Sequence, residues 1–117
     1  MDRHEDASRL QRTRKIQELN DRLRKTGIGG KVVLTRTVAS MDALELTDLL
    51  RRVREFDTFT SGNDPWGEHD FGEVVLNGIR FYWKIDSYDL SLEWGSPDAS
   101  DETVTRRVLT IMAGDEI

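Results

Sequence analysis

FGEVVLNGIRFYWKIDSYDLSLEW, which runs from Phe71 to Trp94, is the stretch whose reading decides the fold class. Ile79, Phe81, Trp83 and Ile85 alternate with Arg80, Tyr82, Lys84 and Asp86, the period-2 pattern of a strand that buries one face. Asn77-Gly78 lies just upstream, and both residue types accept the positive φ of a type I′ hairpin turn. Pairing Leu76 with Ile79 across that turn sets Trp83 opposite Gly72 and carries Asp86 past Asp70. After Ser87 the alternation resumes, with Tyr88, Leu90, Leu92 and Trp94 separated by Asp89, Ser91 and Glu93. The stretch predicts three antiparallel strands that share one apolar face.

Upstream, Ala7 to Lys25 holds no Gly or Pro, and Leu10, Ile16, Leu19 and Leu23 draw one narrow apolar stripe. This predicts a helix, after a frayed residue 1–6 segment, that ends at Gly27 and Gly29-Gly30. A stripe so thin covers a sheet edge or pairs with a partner helix. Lys31 to Val38 is β-branched and predicts a first strand at a sheet edge. Asp42 is placed to cap a second helix, with Glu45 in capping-box position. Leu46, Leu49, Leu50, Val53 and Phe56 form its buried face, and Arg51, Arg52 and Arg54 its solvated one. Thr58 to Asp70 is the longest irregular stretch. Downstream, Asp101 is a candidate N-cap for a last helix whose stripe is Val104, Val108, Ile111 and Met112. The predicted order is α-β-α-β-β-β-α, an α+β two-layer sandwich. Its antiparallel sheet has three to four strands, with helices on one face.

A chain of 117 residues is one domain, 1–117, with a basic helix at 1–26 loosely attached to a core at 30–117. It has no cysteine, which excludes disulfides, thiol catalysis and cysteine-ligated zinc. No apolar run reaches the ~20 residues of a membrane span, and no signal-peptide core opens the sequence, so a cytoplasmic location without membrane contact is expected. The net charge of −5 is unevenly spread: residues 1–31 carry about +4 and residues 32–117 about −9. Such asymmetry favours a charged partner or a second copy of the chain.

The loop Asn63-Asp64-Pro65-Trp66-Gly67-Glu68-His69-Asp70 concentrates the chemically able side chains. His69, Asp70 and Asp86 are the candidate catalytic or metal-ligating set, joined by Glu68 and Asp89. An imidazole with two or three carboxylates can hold a divalent cation or move a proton. Against that reading, Asp and Asn in such loops commonly bond backbone amides, and Trp66 can simply lid the core. No HExxH, phosphate loop or nucleophile elbow is present, and no cofactor is expected. Asp64, Trp66, Glu68, His69, Asp70, Asp86, Asp89 and Glu93 make up the candidate binding surface. Residues 57–102 hold eleven acidic side chains against two basic ones, which suits a partner protein with a basic surface. The basic first helix, with Arg9, Arg12, Arg14, Lys15, Arg22, Arg24 and Lys25, allows a homodimer contact or nucleic-acid binding. The acidic sheet works against the nucleic-acid reading.

The segments NDPWGEHDFG (63–72), WKIDSYD (83–89) and GSPDASDETVTRRVLTIM (95–112) resemble the bacterial domain-of-unknown-function family 3768 from about Gly30 onward. Ser87, Glu102 and Ile117 depart from its pattern, where an aromatic, a proline and an aromatic are usual. The resemblance implies a bacterial, cytoplasmic setting and an accessory role on plasmids or other mobile elements, and it brings no activity, cofactor or catalytic residue. The expectation drawn from all this is a small acidic, non-enzymatic protein-interaction module, in one version an inhibitor of a host defence protein. A metal-assisted hydrolase or nuclease built on His69, Asp70 and Asp86 is the alternative, and DNA binding through the first helix a third.

Overall fold

A computed structural model describes residues 3–117, with side chains from Asp6 onward. The hairpin forms as its alternation requires: β2 spans Phe71–Leu76 and β3 spans Ile79–Tyr88, with Leu76 opposite Ile79 and Gly72 opposite Trp83. Asn77 and Gly78 both have positive φ, at 53° and 77°, as the two-residue turn demands. Gly72 has a steric role as well. The indole of Trp83 lies across it, where any Cβ would collide with the ring.

Helix α1 spans Arg3–Thr26, so it takes in most of the segment expected to fray; Met1 and Asp2 lie outside the described residues. Strand β1 is only Lys31–Leu34, half the predicted length. The chain then turns into a short helix, α2, at Arg36–Ala39, which buries Val38 fully. Helix α3 spans Ala43–Arg54, and the Asp42 carboxylate accepts the Leu44 and Glu45 amides at its N-terminus.

Two expectations fail in the C-terminal third. Tyr88 to Trp94 is not a third strand: β3 runs on to Tyr88, and the chain then reverses tightly. Asp89 Oδ1 accepts the Ser91 hydroxyl and the Glu93 amide, Asp89 N donates to Trp94 O, and Leu92 takes φ 62°. A carboxylate that gathers neighbouring amides offers the backbone an alternative to a sheet ladder. The last helix is also absent. Asp101 caps a single 3-10 turn at Glu102–Val104, and Arg106–Ala113 is a strand, β4. Arg107, Leu109, Ile111 and Ala113 alternate inward there, a period-2 set that the β-branched content of the segment favours.

The sheet order is β1-β4-β3-β2. β4 pairs antiparallel with β3 and parallel with β1, so the sheet is mixed rather than purely antiparallel. The element order is α-β-α-α-β-β-β, and every α-helix precedes the hairpin instead of flanking both ends. The α+β class holds. Helices cover one face, where Leu23, Val38, Leu49, Val53, Val74, Leu76, Phe81, Trp83, Ile85, Leu109, Ile111 and Ala113 make one continuous core.

Candidate functional site

The 58–70 loop is built from its own side chains. Asn63 accepts the Thr60 amide at 2.8 Å and donates to Thr58 O at 2.8 Å. Asp64 is buried, and its carboxylate accepts the His69 amide at 3.2 Å, which holds His69 at φ 54°. Helix α1 then fastens the loop from outside. Gln17 donates to Gly67 O at 3.0 Å, and Asn20 donates to Glu68 O at 2.9 Å.

His69 is held on three sides. Nδ1 lies 2.9 Å from Asp21 of α1, Nε2 lies 3.8 Å from Asp64, and the ring stacks on Phe59 at 3.7 Å and 5°. Asp21 also accepts from Arg24 at 3.1 Å, and Arg24 donates to the Val53 and Arg54 carbonyls that end α3. A cation at a helix C-terminus satisfies carbonyls that have no partner within the helix. Arg24 also lies over the Phe59 and Trp83 rings, at 5.5 and 5.2 Å. Imidazole, carboxylate and guanidinium thus form a chain that docks α1 to both the loop and α3.

Two carboxyls of the loop, Glu68 and Asp70, are held above their ordinary range. Burial pushes the Glu68 carboxyl up from its ordinary value, and the neighbouring Asp70 adds to this. Burial likewise raises Asp70, with Asp64 and Asp86 adding like-charge repulsion. The Asp70 carbonyl accepts from Ile85 at 2.8 Å, as the hairpin register requires, and Asp86 pairs with Lys84 at 3.0 Å. Asp64, His69, Asp70 and Asp86 are therefore neighbours. Among the described residues, no three His, Asp or Glu side chains converge as a metal site would need. Four surface cavities have other walls than His69, Asp70 and Asp86. The geometry serves attachment of the loop, and Glu68 and Asp70 are its two partly buried carboxyls with raised pKa.

Asp89 and Glu93 stand apart, on the turn after β3. That turn points Leu90, Leu92 and Trp94 outward, with Trp94 72 % exposed. Trp66 is 78 % exposed and lids no core; it borders a cavity of about 350 Å³ with Arg9, Arg12, Thr13 and Glu68. Arg24, read from sequence as part of a basic contact face, is instead buried. Asn20, Asp21 and Arg107 escaped the sequence reading, yet Asn20 carried a signal. It falls on the stripe of Ile16, Leu19 and Leu23 at helical spacing, where a polar side chain needs a buried partner.

No α-helix among the described residues is long and apolar enough to cross a membrane. A family model described as "Protein of unknown function (DUF3768)" matches residues 34–116. No curated protein and no solved structure matches the chain.

Proposed function

We propose, from the premise that this chain belongs to the DUF3768 family, a protein of unknown function by description, that it is a non-enzymatic protein-interaction module. Its contact surface is the pair of loops at 58–70 and 89–95, which precede and follow the hairpin at the same end of the sheet. One observation carries the reading. Trp66 and Trp94 are more than 70 % exposed on loops whose backbones are fixed by the side chains of Asn63, Asp64 and Asp89. Large aromatic side chains on rigid supports are the residues that dominate protein interfaces, because little entropy is lost on docking them. Leu90 and Leu92, about half exposed, extend the apolar contact, and Glu93 supplies an acidic rim that suits a partner with basic margins.

The narrower version, in which the acidic stretch occupies a basic groove on a nucleic-acid-handling or defence protein, draws its support from charge. Much of that charge has internal work. Asp98 pairs with Arg12, Glu102 with Arg22 and Glu73 with Arg80. The aromatic loops are accordingly the primary contact, and the charge steers approach.

The test is capture of host proteins by the immobilised full chain, beside a Trp66→Ala/Trp94→Ala double variant. Both positions are exposed, so the variant keeps the fold. The expected result is a protein held by the wild type, released as salt rises, and lost with the double variant. Identical capture by both forms would overturn the reading.

A further inference from the structure

A cavity of about 440 Å³ opens between the starts of β1 and β4 and the 3-10 turn that precedes β4. That volume lies within the range of pockets that take small ligands, roughly 300–1,000 Å³. Its walls are unusually rich in cations for a protein of this net charge: Lys31, Arg106 and Arg107 line it. Arg22 lies against Gly29 at its edge.

Arg107 is only 2 % exposed, and its hydrogen-bond partners are neutral. Nε donates to Asn20 Oδ1 at 2.8 Å and Nη2 to the Ala99 carbonyl. No carboxylate among the described residues pairs directly with Arg107, Lys31 or Arg106. Arg22 has one carboxylate partner, Glu102, at 2.6 Å, while its Nε is sealed from water without an acceptor. Four cations thus face one paired carboxylate, Glu102, with Glu68 a second carboxylate that acts on Arg107 without touching it. A buried charge without a counter-charge is costly, and two guanidiniums side by side make it more so. The same tension is visible in Arg107, whose pKa is pushed down first by burial and then by Arg22, against the opposing pull of Glu102 and Glu68.

The geometry points to this cavity as a binding site for a low-molecular-weight phosphate monoester, whose phosphate takes the place beside Arg22 and Arg107 that the Glu102 carboxylate now holds. Arginine forks match phosphate oxygens in pairs, and a dianion balances the local charge better than a single carboxylate does. Leu92 and Val108 give the cavity an apolar wall for the organic part of the ligand. Glu102 is half exposed and tied only at its tip, so it can swing aside. The assignment does not rest on the two tryptophans that carry the interaction reading, since neither lines this cavity; Leu92 is the residue the two surfaces share.

The experiment is a titration of the full chain with phenyl phosphate, inorganic phosphate and benzoate at low ionic strength, followed by calorimetry and by the amide resonances of Gly29, Gly30 and Thr105. Saturable binding is expected, in the order phenyl phosphate, phosphate, benzoate. Glu102→Gln, which removes the competing carboxylate from an exposed position, should tighten phenyl phosphate by about threefold or more, since a like charge at the site is lost. Lys31→Ala/Arg106→Ala, also at exposed positions, should weaken it by roughly tenfold. No saturable binding to either the wild type or Glu102→Gln at millimolar ligand overturns the site. So does binding that ignores the Lys31/Arg106 change. Equal affinity for phosphate and phenyl phosphate overturns the organic part of the assignment.

Discussion

Trp83 is completely enclosed, with Phe56 and Phe59 edge-on at 5.5 and 6.1 Å, Arg24 over its face and Gly72 beneath. Truncating a buried Trp removes its transfer energy and leaves a cavity, at a cost of ~3–5 kcal/mol. A small domain has about 5–15 kcal/mol in all. Trp83→Ala should therefore leave the chain unfolded or close to it in a urea titration. Lys84→Ala, one residue along, should shift stability by less than ~0.5 kcal/mol, because its ion pair to Asp86 is exposed to water. Equal shifts would mean that the facing of β3 is wrong. This facing was legible from alternation alone at Phe81, Trp83 and Ile85. Ile79 obeys the same alternation but is 57 % exposed, because it sits beside the turn, on the wall of an open cleft that Thr37 of α2 and Glu45 of α3 also line.

Elements were less legible than residues where one composition suits two periods. Val104, Val108, Ile111 and Met112 form a helical stripe, while Arg107, Leu109, Ile111 and Ala113 form a strand face, and the strand prevails because β3 and β1 flank it with open ladders. What secures β4 at its far end is Glu116. Its carboxylate accepts the Thr35 hydroxyl at 2.6 Å, the Ala113 amide at 2.8 Å and the Thr37 amide at 3.1 Å, which joins the chain's last turn to the start of α2. These bonds, the Thr35 hydroxyl first, lower its pKa from 4.5 to about 2. A carboxyl depressed in the folded state adds stability that is full above its unfolded pKa and lost as pH falls through the folded one. Glu116→Gln should therefore unfold more readily than wild type at pH 6–7, and the gap should close between about pH 4.5 and 2. Urea midpoints at pH 7, 4 and 2.5 check this; a gap that stays constant with pH would contradict the clasp.

For the whole molecule, the decisive piece is α1. The family match begins at residue 34, after α1 has ended, yet α1 brings Leu23 to the core and Asn20 to both the Glu68 carbonyl and Arg107. Deleting residues 1–26 exposes that core and orphans a buried guanidinium, so the loss should exceed ~3 kcal/mol. Deleting residues 1–11, which are exposed from Asp6 on, should cost less than ~1 kcal/mol. Urea unfolding of the two truncations separates these outcomes, and similar losses would mean that α1 is merely appended. The amino-acid sequence by itself determined the hairpin, its register, the α3 cap and the boundaries of α1 and α3 to within a few residues, because each follows from neighbours in the chain: a turn dipeptide, an alternation, a carboxylate three residues from an amide. Tertiary structure alone decided the parallel pairing of β1 with β4, the strand at 106–113, the outward turn at 89–95 and the union of Asp21 with His69. Those depend on which surfaces remain open once the hairpin has formed, and partners up to 87 residues apart, such as Asn20 and Arg107, leave no local periodicity by which one names the other.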